Sequence, residues 1–282
     1  MADTAFQSQY RQEFVDGFEA RSSLLKDTVT TEAVIKGNTA VFLVADSGTA
    51  VAQTRGINGR IPARADNETQ NSCTLQEWHD LVRKTAFNIF ASQGDQRKMM
   101  QMTSMGVVNR KIDDLIVTQL NTGTVSIGAA SVVPTVSTVM NGVVKLGNAS
   151  VPWDQNITLL AQPSFLAYMM QTPEFTNAQY IDLRPYAGQD PNWRDRPQAY
   201  KWLSMLVIAH PNLPGRGTSS EKNFMYHKAS IGCAMNVEGM DSEVGYDAEQ
   251  KYSWARTSMD MGAKVLQNAG IVVITADGSV YA

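Results

Sequence analysis

The sequence predicts an α+β fold, and three observations carry that prediction. Residues 28–35 and 39–45 are rich in Thr and Val, the composition of strands. Residues 93–121 contain no proline and place apolar side chains at helical spacing. Near the carboxyl end residues 250–259 and 270–275 read as two further strands. At about 150 residues per domain, 282 residues correspond to roughly two domains.

Each element follows from local chemistry. Phe6, Tyr10, Phe14 and Phe18 recur every four residues and would share one helical face, which Gly17 weakens without breaking. Such a helix either packs on its own domain or forms a terminal arm that docks on a neighbouring subunit. Residues 1–35 hold six acids (Asp3, Glu13, Asp16, Glu19, Asp27, Glu32) against three bases (Arg11, Arg21, Lys26), which favours the arm. Asn58-Gly59 predicts a tight hairpin turn, because both positions tolerate positive φ. Its arms, 40–55 and 60–76, are small and polar, and 47–65 carries Arg55, Arg60 and Arg64 with no acid. Fully extended, each arm would reach about 50 Å. A hairpin this polar cannot bury itself in its own domain, so it is either a mobile loop or lies on another chain.

Residues 78–90 fit a strand or a short helix. Ser92, with Asp95 three residues on, predicts a helix start. Met105, Val108, Ile112 and Leu115 then give one apolar face, extended by Val117 and Leu120, over a helix of about 40 Å. Asn121-Thr122-Gly123 ends it. Beyond lie a second helix at 136–146, a strand at 157–161, a helix at 163–170 with Pro163 in its first turn, a loop at 188–196, a buried strand at 200–209 and a flexible loop at 210–222.

Composition and motifs narrow the function. Lys and Arg number 24 and Asp and Glu 27, a net charge of -3, which argues against nucleic acid bound over the whole surface. Charged residues make up 18% of the chain against about 25% in ordinary domains, so partner subunits are expected to cover much of the surface. Cys73 and Cys233 form no zinc framework or disulfide scaffold, which points to a reduced intracellular origin. No secretory signal is present, and the densest apolar stretch, 202–209, is far too short to span a membrane, so a cytoplasmic product with no membrane partner is expected. GxGxxG, GxxxxGK(S/T), HExxH and GxSxG are all absent. His79, His210 and His227 share no ligand spacing and are expected to be structural. Asp113 and Asp114 point about 100° apart on the long helix and are expected in solvated or inter-chain salt bridges. The run Asp241–Asp247 superficially suggests calcium but lacks the spacing of a binding loop. Met99, Met100, Met102 and Met105 are expected to be packing. No catalytic, cofactor-binding or metal-binding residue is assigned, and no enzyme activity is expected. The unusual features, an aromatic arm, a basic hairpin and a long helix, are those of assembly.

Their order resembles the major capsid protein of tailed bacteriophages, the Hong Kong 97-type fold. The likeness rests on RGINGRIP (55–62), TLQEWHDL (74–81), FASQGDQRKMMQ (90–101), NRKIDDLIVTQL (109–120), LLAQPSFLAYMMQTPEF (159–175), FMYHKASIGCA (224–234) and GAKVLQNAGIVVI (262–274), and covers most of the chain from about residue 28. It implies an amino-terminal arm (1–35), an extended loop (36–76), a peripheral domain with the spine helix (77–125), an axial domain (126–244) and carboxyl-terminal strands of the peripheral domain (245–282). It implies an icosahedral head shell around double-stranded DNA, assembled in the bacterial host cytoplasm and located in the virion. The partners implied are copies of the chain as pentamers and hexamers, a separate scaffolding protein, a portal, non-specific contact with packaged DNA, and optionally a decoration protein. Some relatives cross-link subunits through a loop lysine, yet no lysine occurs between Gly37 and Arg83, so a non-covalent shell is expected. Inter-subunit contacts are expected from Phe6, Tyr10, Phe14 and Phe18, with Arg55, Arg60 and Arg64 meeting Glu13, Asp16 or Glu19 of a neighbour. The alternatives are an encapsulin-type nanocompartment shell and an enzyme with an unrecognised site.

Overall fold

The computed structural model describes residues 23–31, 34–47, 50–59, 61–64, 67–85, 88, 96–176, 181–182, 199–235 and 240–281. In chain order the strands and helices are β1 (Val34–Lys36), β2 (Thr39–Asp46), β3 (Asn67–Thr74), β4 (Gln76–Thr85), α1 (Gln96–Leu120), β5 (Val125–Gly128), α2 (Val136–Asn148), β6 (Ile157–Ala161), α3 (Pro163–Met170), α4 (Pro173–Thr176), β7 (Ile181–Asp182), β8 (Ala199–Trp202), β9 (Met205–Ala209), β10 (Glu221–His227), β11 (Ile231–Met235), β12 (Asp241–Asp247), β13 (Tyr252–Val265) and β14 (Ile271–Ala276). They fall into two compact units. One takes Glu77–Lys111 and Asn236–Asp260; the other takes Leu24–Gln76, Ile112–Met235 and Met261–Ala282.

The larger unit is built on a seven-stranded sheet in the order β5-β14-β10-β6-β9-β8-β7. Pairs β14–β5 and β6–β9 are parallel and the others antiparallel. Every residue of β6 is buried, as is Ile271–Ile274 of β14, because the sheet centre is covered on both faces. Ile157, Leu159, Val207, Met225, Val272 and Phe165 lie in this core. Phe175 meets Trp202 edge to face at 5.2 Å between ring centroids. Helix α2 begins with a capping box between Thr135 and Thr138 and turns Val139 and Leu146 inward. Gly142 lets it approach closely: a Cβ there would stand 3.2 Å from the Met225 methyl.

The run 200–209 is not one strand. It is the hairpin β8–β9, whose two turn residues, Leu203 (φ 48°) and Ser204 (φ 63°), both adopt left-handed backbone with Trp202 opposite Met205. That is the mirror-image turn which matches strand twist, and it favours Asn and Gly. Leu203 also packs against the core, so the test falls on exposed Ser204: Ser204→Gly should raise stability by about 0.5–1 kcal/mol through relief of the left-handed backbone cost. The check is a thermal melt of the unassembled chain, where an unchanged or lower midpoint would refute the assignment.

The long helix forms, and its buried face matches the expected one in part. Val108, Ile112, Val117 and Leu120 are buried as expected, while Met105 is exposed and Leu115 half-buried. A buried row four positions apart runs through Met100, Ser104, Val108, Ile112, Ile116 and Leu120, with Gly106, Asp113 and Val117 buried beside it. A four-residue step leaves a 40° remainder per repeat, so this row winds slowly round the helix axis. The predicted helix start at Ser92 and Asp95 lies outside the described residues.

The smaller unit sets residues 96–111 of α1 beside β4, β12 and β13. Strand β13 pairs with both β4 and β12, with Asp241 opposite Ser258 and Asp247 opposite Tyr252. The calcium-like run is thus strand β12. Strand β13 extends to Val265, beyond the predicted 250–259, because its last five residues pair with β11. The Lys111 ammonium sits 4.3 Å from the Trp78 ring centroid and the Arg83 guanidinium 5.1 Å from that of Tyr252. Gln101 Nε2 donates to Ser242 Oγ at 3.0 Å. Trp254 covers Gly245, where a Cβ would lie 2.4 Å from the indole. Arg256 pairs with Glu243 at 2.7 Å.

Candidate assembly surface

Strands β2 and β3 form an antiparallel ribbon, with β1 on the outer side of β2. Eight residue pairs join β2 and β3, from Thr39 opposite Thr74 to Asp46 opposite Asn67. At about 3.4 Å per residue the ladder spans roughly 25 Å, half the predicted reach of each arm. Beyond it no strand is found among the described residues 47, 50–59 and 61–64. Residues 50–59 and 61–64 are all exposed.

Alternation along β2 sorts its side chains between two faces. Ala40 and Phe42 are buried with Cys73, Ala234, Leu75 and Leu266 in a small cluster at the ribbon's base. Gly232 lies directly beneath Phe42, so a Cβ there would stand 2.6 Å from the ring. Phe42 thus pins the ribbon to β11. Leu43, on the opposite face, is 77% exposed. Further out, Val51, Ile57 and Ile61 are exposed as well, with Ile57 the most exposed large apolar side chain among the described residues. None of the four belongs to the sheet core or to the cluster at the ribbon's base.

The turn at the far end differs from the expected two-residue hairpin. Gly59 N–H donates to Gly56 O at 2.8 Å, so Ile57 and Asn58 are the central residues, and only Gly59 (φ 71°) takes positive φ. This type I geometry followed by a left-handed glycine places the apolar Ile57 at the turn. Arg55 and Arg64 are exposed on the same segment. Arg60 lies outside the described residues, and so do Phe6, Tyr10, Phe14, Phe18, Glu13, Asp16 and Glu19.

Where the described chain begins, residues 24–30 are stitched into the larger unit. The carboxylate of Asp113 accepts the backbone N–H groups of Leu24 and Leu25, both at 3.1 Å. Thr28 shares a 2.6 Å hydroxyl hydrogen bond with buried Tyr226. Thr30 N–H donates to Ile231 O, and Cys233 N–H to Thr30 O. Asp113 is therefore not a solvated or inter-chain group. It is 4% exposed, and its job is to hold this segment. His210 Nε2 stands 3.8 Å from Asp113 Oδ2, and His210 Nδ1 accepts the Asn212 N–H at 3.2 Å.

The remaining polar groups are structural in setting. His227 Nε2 lies 3.0 Å from Asp154 Oδ1. The Asp154 carboxyl is held down at about 2, first by the Asn156 side chain and also by His227. Ser164 Oγ donates to buried Glu221. Burial pushes the Cys233 thiol up to about 12 and raises Cys73 too, which suppresses thiolate chemistry. Among the described residues no group of three or more His, Cys, Asp or Glu could hold a metal ion. Nor is any described helix long and apolar enough to cross a membrane. What the surface offers is contact area: apolar side chains carried away from the core on a pinned ribbon.

A sequence model of the phage capsid protein family matches residues 2–277. This chain belongs to the phage capsid protein family. The fold of the capsid chain is the Hong Kong 97-type expected from the sequence. It is similar to the capsid structure of the cyanophage P-SCSP1u, with 12% identity over 96% of this chain and 93% of that one and a TM-score of 0.68. It is likewise similar to the capsid of Ralstonia phage GP4, with 11% identity, 98% of both chains covered and a TM-score of 0.68. A structure from Microbacterium phage Oxtober96 matches at 11% identity, 96% of both chains and a TM-score of 0.66. No curated protein matches the capsid chain. The family is that of phage capsids and not the nanocompartment alternative.

Proposed function

We propose that copies of this capsid chain, grouped as pentamers and hexamers, close into a head shell around double-stranded DNA, without covalent links. The observation that supports this most directly is the ribbon. Leu43, Val51, Ile57 and Ile61 present exposed apolar surface outside the sheet core and the ribbon's base cluster, and burying it needs another copy. Residues 36–76 are the extended loop in this reading and 126–244 the axial domain. Arg55, Arg60 and Arg64 meet acids of a neighbouring copy, among them Glu13, Asp16 or Glu19. Each such rim pair contributes about 0–1 kcal/mol, so the arginines orient the loop while the apolar contacts hold it. Weak contacts repeated many times per subunit sum to a stable lattice that can correct its errors. A separate scaffolding protein, a portal and an optional decoration protein complete the head, assembly takes place in the host cytoplasm, and contact with DNA is unspecific.

The test is assembly followed by denaturing electrophoresis. The expressed chain, alone or with its scaffold, should form particles in negative-stain images that run as a single 30.9 kDa band once denatured. Replacing all three arginines by Ala should reduce particle yield while the chain stays folded. A chain that remains monomeric at high concentration under every assembly condition would refute the shell. A ladder of covalent multimers would refute non-covalent closure.

A further inference from the structure

A second surface, separate from the ribbon, has the chemistry of a permanent contact. Residues 121–153 contain one charged side chain, Lys145, where the chain's overall 18% would place about six. These residues are not hidden. Helix α2 buries Val139, Gly142 and Leu146, and its other side shows Ser137, Met140, Asn141, Val144 and, as its one charge, Lys145 to solvent. Met140 is 40% and Val144 55% exposed, and Val132 and Val133, just before the helix, are exposed to a similar degree. An ordinary solvent-facing helix carries charge on its outer side. This one carries aliphatic and small polar groups with a single lysine, Lys145.

We infer that the outer face of α2, centred on Met140 and Val144, is a contact surface for a second copy of this chain. Charge indicates the occupant. A partner recruited by charge would need a charged face here, and only Lys145 is available. Two copies of a chain of net charge -3 repel at long range. They meet at least electrostatic cost where neither presents charge. Charge depletion with exposed aliphatic groups marks permanent interfaces between subunits, whereas transient partners meet more polar faces. The inference rests on the shell reading and adds to it a face that the ribbon does not use.

Val144→Cys supplies the probe, since Cys73 and Cys233 are buried and leave position 144 as the accessible thiol. Labelling with a small maleimide should be at least about tenfold slower in particles than in the unassembled chain. Val144→Arg should abolish particles at concentrations where the parent assembles, with an unchanged thermal midpoint for the unassembled chain. Equal labelling in both states, or normal particle yield from V144R, overturns this assignment and leaves the shell reading standing. Slow labelling only when a second virion protein is present gives the face to that protein and also overturns it. A parent chain that never assembles overturns both readings together.

Discussion

Asp113→Ala should lower the stability of the unassembled chain by about 3 kcal/mol. The substitution removes the acceptor for two backbone N–H groups, those of Leu24 and Leu25. Leu25 is wholly buried, so no water replaces the lost partner at its N–H. An unsatisfied buried donor costs about 1–3 kcal/mol, which applies to the Leu25 N–H, and the half-buried Leu24 N–H adds a smaller loss. The neighbouring His210 suffers as well. Its Nδ1 accepts a backbone N–H, so the neutral ring carries its proton on Nε2, the nitrogen that faces Asp113. At roughly 2–3 °C per kcal/mol for a chain of this size, the thermal midpoint should fall by about 6–9 °C. Asp113→Asn, which keeps one acceptor oxygen, should cost about half as much. Calorimetry of the three proteins decides the matter. A midpoint within about 1 °C of the parent for Asp113→Ala would show that residues 24–25 are held by other contacts.

Replacing Val51, Ile57 and Ile61 together by Asp should abolish assembly without unfolding the chain. These side chains belong to neither the sheet core nor the cluster at the ribbon's base, so the thermal midpoint of the unassembled protein should not move. In the shell each would lie against another copy. Full burial of an aliphatic side chain stabilises by about 1.5–3 kcal/mol. Three of them at the lower figure give about 4.5 kcal/mol per subunit, which is roughly a thousandfold in an equilibrium constant. Buried carboxylates without partners add to that loss. The measurement is particle yield by sedimentation and negative-stain imaging across a range of concentrations. A triple variant that assembles at the concentration of the parent would show that the ribbon is not an interface.

The elements that were legible beforehand are those whose signal is local. Residues 96–120 lack proline and carry apolar side chains at a helical period, so the long helix was evident within a few residues of its observed end. Pro163 in the first turn of α3 and the largely apolar, strand-length run of β6 were equally plain. Of the expected face of α1, Val108, Ile112, Val117 and Leu120 are buried, but Met105 and Leu115 are not, because spacing alone does not tell which adjacent row the partners of the helix cover; they bury Met100, Ser104 and Ile116 instead. The β8–β9 hairpin escaped notice because its turn is Leu203-Ser204, neither residue being a usual turn former. At 55–60 the turn was evident but displaced, since Gly59 supplies the left-handed residue after the turn and not within it.

The candidate surface divides in the same way. Arg55 and Arg64 announced themselves by the absence of any acid across 47–65. Leu43, Val51, Ile57 and Ile61 did not, because an apolar residue in a strand or loop is buried or bare according to what lies opposite. Asp113 shows this most clearly. On the helix it is indistinguishable from Asp114 beside it, yet the former is buried and the latter exposed. The reason lies 88 positions away at the backbone of Leu25. Charge balance, helical period and the order of elements are properties of the string of residues, but it is the likeness of its stretches to those of capsid proteins that places this chain among them. Burial and exposure depend on contacts between distant segments, which arise only when the chain closes on itself, so those contacts chose the anchor and left the ribbon's apolar groups uncovered.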